Sequence, residues 1–227
     1  MREIVLDTET TGLDPQSGDR IVEIGCLEIH NHMPTGKFFH EYINPEREMP
    51  ASAFAIHGLS TEFLSDKPKF SDISGSFLEF IGKSQLIIHN ADFDLRFLDS
   101  EMTMIGAELI DRSRALDTVS LARRRFPGAQ VSLDALCRRF QIDLSSREKH
   151  GALLDAELLA EVYLYLMGGR QPGLNLNEDG NVKKSQTSES SEVIERKLRS
   201  HTPTAEEIEA HEELINSIKN PMWRLDQ

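Results

Sequence analysis

Three apolar runs of β type stand in direct succession at the head of this chain, and later runs of that kind occur only between helices. Ile4-Val5-Leu6 is the first. Residues 20–29 are rich in Ile and Val with partial alternation, and residues 38–43 resemble a third strand. Between the first two, Thr11-Gly12-Leu13-Asp14-Pro15 carries the Gly and Pro punctuation of a hairpin with a long loop. Pro50 then opens a short helical stretch to Ile56, closed by Gly58. In residues 70–81, Ile73, Phe77, Phe80 and Ile81 share one helical face. Residues 85–89 read as a buried strand, and 93–105 return to helical spacing. Further helices are predicted around 119–126, at 132–140 with Ser132 as N-cap, and at 152–167, which Gly168-Gly169 stops. Strands in hairpin order, then helices interleaved with short strands, predict an α/β protein: a mixed sheet flanked by helices.

After Gly169 the composition changes. Residues 173–191 are dominated by Asn, Ser, Glu, Lys, Gln and Gly and read as a flexible linker. Thr204 and Glu207 fit a capping box, and Ile208, Leu214, Ile215 and Ile218 give a partly amphipathic helix to about residue 219. The expected organisation is therefore a domain over 1–169, a linker over 170–200 and a terminal segment over 201–227. A body of about 170 residues buries roughly 70% of its unfolded surface, enough for a core without staples. Cys26 and Cys137 sit inside apolar patterns without a partner spacing, which excludes a disulfide framework or a zinc site. No stretch reaches the roughly 18 apolar residues of a membrane span, and the start MREIVLDTE has no signal-peptide run, so a cytoplasmic location is expected.

Charge narrows the function. Lys plus Arg is 25 against 38 Asp plus Glu, a net charge of −13. A broad basic surface for coating nucleic acid is excluded, and any anionic substrate must be held locally, by metal ions or a small basic patch.

Three short segments answer that need. Asp7-Thr8-Glu9 ends the first strand, where alternation turns Asp7 and Glu9 to one side. His89-Asn90-Ala91-Asp92-Phe93-Asp94 marks the passage from a buried strand into a helix, the usual place for sites in α/β sheets. His150-Gly151-Ala152-Leu153-Leu154-Asp155 heads an apolar helix, with Asp155 about one turn in. Each alone has an ordinary reading: a solvated strand end, helix-dipole acids, a capping histidine. Together, carboxylates from separate elements with a histidine five residues before the last suit a two-metal site. Hard Mg²⁺ or Mn²⁺ ions need carboxylate oxygens, and a pair of them neutralises charge on both sides of a phosphoryl displacement. A histidine has the intrinsic pKa to take a proton from water near neutrality.

DTETTG, HNADFD and HGALLD in this order resemble the three motifs of the DEDDh family of 3′→5′ exonucleases and, within it, the proofreading epsilon branch of bacterial DNA polymerase III subunits. The runs at 21–25 (IVEIG), 56–59 (IHGL) and 132–140 (SLDALCRRF) add to the likeness, which covers residues 1–169 continuously. The resemblance implies a ribonuclease H-like fold with a mixed five-stranded sheet. It assigns Asp7, Glu9 and Asp155 to one tightly held divalent ion, Asp7 and Asp94 to a second, and the role of general base to His150. Asp7, Thr8, Glu9, Thr10, Leu13, His57 and Asp155 would meet the terminal nucleotide, with Leu13 and the backbone of residues 8–10 around its 3′ hydroxyl. Two departures stand out: Ser52 where an acidic residue is expected, and Asp92 in place of a small apolar residue, adding a carboxylate near the site.

The implied function is excision of mismatched 3′-terminal nucleotides of DNA as 5′-monophosphates. The implied partners are a single-stranded or frayed primer end, the polymerase alpha subunit through residues 201–227 with Trp223 as an anchor, and a small theta-like subunit. Gln171 to Leu176 resembles the short peptides that dock weakly on a sliding clamp. Alternatives are a stand-alone exonuclease on RNA or free single strands, against which the tail argues, and an adaptor between polymerase and clamp, against which the intact acidic set argues.

Overall fold

The computed structural model describes residues 1–145, 149–169 and 203–217. Its sheet is built from β1 (Arg2–Thr10), β2 (Ile21–His30), β3 (Met33–Tyr42), β4 (Gln85–Ile88) and β5 (Ala115–Asp117). The strand order is β3-β2-β1-β4-β5. Pairing is antiparallel across β1–β2 and β2–β3 and parallel across β1–β4 and β4–β5. The mixed five-stranded sheet implied above is thus present. The third strand starts at Met33, five residues before the expected position, and its outer half is exposed as suits an edge strand.

The helices are α1 (Ala51–His57), α2 (Thr61–Leu64), α3 (Phe70–Ile81), α4 (Ala91–Met104), α5 (Thr118–Arg125), α6 (Leu133–Phe140) and α7 (Ala152–Leu166). They cover both faces of the sheet. On one face Ile4, Leu6, Ile24 and Ile88 pack with Phe77, Ile81 and Leu98 from α3 and α4. On the other, Val5, Leu27 and Ile87 pack with Leu136, Leu159 and Val162 from α6 and α7. Alternation along β1 follows directly: Ile4 and Leu6 face α3 and α4, Val5 faces α7, and Asp7 and Glu9 continue the row of Val5. Cys26 and Cys137 are buried free thiols.

Local chemistry fixes the ends that matter. Ser132 caps α6, its hydroxyl accepting from Ala135 N at 3.3 Å. Asp117 caps α5 by accepting from Val119 N and Ser120 N, both at 3.1 Å, and also accepts from Asn90 N at 3.0 Å. One carboxylate therefore sets both the start of α5 and the left-handed turn at Asn90 (φ 66°) that launches α4.

At Gly25 on β2 the close approach of α7 leaves no room for a side chain. A Cβ there would stand 2.3 Å from the Ala152 carbonyl carbon and from Leu153 N. Gly25 pairs with Asp7 across the sheet, so the first turn of α7 is seated directly over that strand pair.

The chain divides into two compact units, residues 1–174 and 175–227. In the second, α8 (Ala205–Ser217) is closed at its start by the expected capping box: Thr204 N donates to Glu207 Oε2 at 2.8 Å, and Glu207 N donates to the Thr204 hydroxyl at 3.3 Å. Ile208 and Leu214 are exposed on it. Among the described residues no helix is long and apolar enough to cross a membrane. The expected linker, Gln171 to Leu176, Ile218 and Trp223 lie outside the described residues.

Candidate active site

The end of β1 and the first turn of α7 meet at an acidic cleft of about 320 Å³. Asp7, Glu9, His150 and Asp155 line it, as the sequence predicts. Ligand atoms of Glu9, His150 and Asp155 all lie within 4.8 Å of one another. His150 Nδ1 stands 3.2 Å from Asp155 Oδ2. The His150 backbone N–H reaches the Ile56 carbonyl at 3.4 Å, and the Lys149 ammonium lies 5.3 Å from the Phe54 ring centre, so α1 steadies the turn that carries the histidine.

Asp94 approaches from the opposite face of the sheet. Its side chain is buried, and its Oδ1 accepts from the Thr8 hydroxyl at 2.7 Å. Thr8, between Asp7 and Glu9, points to that face by strand alternation, which is why Asp94 stands behind the pair. Burial pushes the Asp94 carboxyl up to about 7 against the pull of the Thr8 hydrogen bond. Asp7 rises well above the usual carboxylate range, first through burial and then through the charges of Asp94, Glu9, Asp155 and Glu23. Asp7 keeps some accessible surface at the cleft mouth, so its elevation owes much to crowding by like charge.

A second cleft of about 240 Å³ shares Thr8 and Glu9 with the first. Leu13, Ile56, His57 and Phe93 give it apolar and aromatic walls, and Ser52 lies on its rim. Leu13 is 77% exposed, a large apolar side chain offered to whatever enters. Its loop is pinned from below: Thr10 Oγ1 donates to the Gly12 carbonyl at 2.6 Å, and Thr11 Oγ1 to Asp19 at 3.1 Å. A Cβ on Gly12 would stand 2.2 Å from the Asp19 carboxylate, so only glycine fits that turn. His57 is buried, and burial pushes its pKa down, with the Thr10 backbone working in the opposite direction; the ring is neutral at pH 7.

Asp92 departs from the expectation. It lines neither cleft; its carboxylate pairs with Arg112 at 3.0 Å and Arg96 at 3.3 Å on the outer surface of α4. Sequence reasoning also missed the wall formed by His89, Ser132, Leu133 and Asp134. His89 Nδ1 lies 2.9 Å from the Thr118 hydroxyl, in keeping with a turn-ordering role. Asp117 carried a legible signal, an Asp directly before a Thr-Val-Ser helix start.

Partly buried carboxylates from three elements, mutually repelling and all hard oxygen donors, are a donor set suited to divalent cations and to little else. Beside a nucleotide-sized pocket they define the class, a metal-dependent nuclease. Residues 4–163 match the family model described as Exonuclease. The nuclease domain of 3′hExo, a DEDDh family member, superposes with a TM-score of 0.64 over 73% of this chain and 91% of that one; at 15% identity the likeness is one of fold. The DNA polymerase III subunit epsilon of Rickettsia felis is 50% identical over 225 residues, 96% of this chain and 97% of the relative. That of Escherichia coli is 40% identical over 237 aligned residues, covering 98% and 97%. The chain belongs to the DNA polymerase III epsilon-subunit family of exonucleases.

Proposed function

We propose that this chain is the proofreading 3′→5′ exonuclease of a replicative DNA polymerase, acting in the cytoplasm, with residues 1–169 as its catalytic domain, 170–200 as linker and 201–227 as the polymerase-binding segment. The observation that carries the reading is the convergence of Glu9, His150 and Asp155, with Asp7 beside them and Asp94 behind, at the edge of a cleft that fits one nucleotide. Asp7, Glu9 and Asp155 would hold one divalent ion, and Asp7 with Asp94 a second, Mg²⁺ or Mn²⁺. Such ions supply charge neutralisation at the attacking and leaving oxygens of the phosphodiester.

The rest falls to the chain. Leu13 and Phe93 flank the terminal base, the backbone at 8–10 and His57 orient its sugar, and the shared wall of Thr8 and Glu9 sets the last phosphodiester over the acidic cleft. A neutral His150 that donates from Nδ1 to Asp155 presents Nε2 as the acceptor for the proton of the attacking water. The cleft admits one unpaired nucleotide, so a mismatched terminus, which costs less to separate, is the favoured substrate.

The relatives' name supports a place in a polymerase complex. Within it, α8 and the residues after it would dock on the alpha subunit, Gln171 to Leu176 on the sliding clamp, and a small theta-like subunit on the catalytic domain. End-labelled DNA and RNA oligomers test the chemistry. Expected is stepwise loss of 5′-monophosphates from the 3′ end of DNA in Mg²⁺ or Mn²⁺ and silence in EDTA. Cleavage from the 5′ end, or undiminished cleavage in EDTA, contradicts it.

A further inference from the structure

We infer that Arg138 and Arg139 on α6 hold the backbone phosphates of the substrate strand just upstream of the nucleotide being removed, an inference that rests on the exonuclease reading above. The two clefts share Thr8 and Glu9, so a strand end seated against Leu13 and His57 crosses the acidic cleft and must leave by another side. That side is bounded by Ser132, Leu133 and Asp134 at the start of α6. Leu133, Leu136 and Cys137 turn into the core, which leaves Ser132, Ala135, Arg138 and Arg139 along one outward stripe. A further cleft of about 490 Å³ lies on this stripe, lined by Gln130, Ala135, Arg138 and Arg139, two cations and no carboxylate. At ~1.5 Å per residue, Arg138 stands about 9 Å along the helix from Ser132, within reach of the next stretch of strand.

The arginines are suited to the task. The Arg139 guanidinium lies over the Phe126 ring at 4.7 Å, which fixes its direction in advance. The Arg138 side chain is 72% exposed, and its ion pair with Asp134 is long, 3.8 Å, so exchange for a phosphate costs little. A guanidinium fork matches phosphate geometry. In a chain of net charge −13, this supplies the local basic patch that a polyanionic strand needs.

The test compares kcat/KM on a DNA dinucleotide and a decanucleotide for the full chain in Mn²⁺, across a salt series. For R138A/R139A the advantage of the longer strand should shrink by roughly tenfold, the equivalent of one charge-assisted hydrogen bond. The log–log salt dependence on the longer strand should flatten by about 1. R138K/R139K, which keeps both charges, should retain most of the advantage. Unchanged length preference and salt slope in R138A/R139A overturn the assignment and leave the patch to an acidic protein partner. An equal loss on both substrates also overturns it, because the arginines would then act on the catalytic cleft itself. A wild-type chain that cleaves neither substrate removes the exonuclease reading, and this inference with it.

Discussion

Asp7 is where burial and like charge work against the fold in favour of the chemistry. Its carboxyl is raised by burial and by four neighbouring acids, and that of Asp94 is raised to about 7 by burial. A carboxyl whose folded pKa exceeds its unfolded value near 4 stabilises the fold below that value, and the contribution is lost as pH rises through the folded pKa. In EDTA, therefore, the thermal midpoint of Asp7→Asn should gain on wild type as pH rises from about 4 to 7, and at pH 7 it should equal or exceed it. Saturating Mg²⁺ should reverse the order by stabilising the wild type. Scanning calorimetry at several pH values checks both; a variant that falls further behind as pH rises contradicts the crowding. The same variant should have no measurable cleavage. His150→Ala should lose roughly 10²–10⁴ in turnover with metal affinity little changed, and His150→Gln should not restore it. Loss of metal binding in His150→Ala, read by Mn²⁺ titration, would make His150 a ligand instead of a base.

Among elements, the seating of α7 on β2 decides whether Asp155 and His150 reach Asp7. Gly25→Ala places a methyl where the Ala152–Leu153 backbone lies, so it should destabilise by about 1–3 kcal/mol and also lower turnover, because the first turn of α7 must back away. Denaturant unfolding with parallel assays checks this; full activity at lowered stability would uncouple α7 placement from catalysis. The elements that carry the site were legible in the sequence because their signals are local. The spacing of Ile73, Phe77 and Ile81 marks α3, Ser132 marks the start of α6, and Asp7-x-Glu9 gives its facing by strand alternation. β5 was not legible from its own residues: three residues are too few for periodicity, and pairing with β4 makes it a strand. The start of β3 was lost because an exposed edge strand has no apolar alternation. The orientation of Asp92 depended on Arg112, twenty residues away, which no local pattern records.

At the scale of the whole molecule, catalysis and assembly fall on different stretches of chain. The catalytic residues lie in the unit ending at residue 174, whereas α8, with Ile208 and Leu214 exposed, lies in the unit beginning at 175. Deleting residues 201–227 should leave cleavage of free oligonucleotides intact and abolish co-purification with the polymerase alpha subunit; a deletion that still co-purifies moves the docking surface into the catalytic domain. The account stands on one claim above the others, that this cleft edits DNA ends by a carboxylate-held metal site. Its most direct measurement is the rate of 3′-nucleotide release from a primer–template with a mismatched terminus beside a paired one, in Mg²⁺ and in EDTA, for wild type and Asp7→Asn. The account predicts faster release from the mismatched end, 5′-monophosphate as product, and no release in EDTA or from the variant. Equal rates on both ends, or release that survives EDTA or the loss of Asp7, would contradict it.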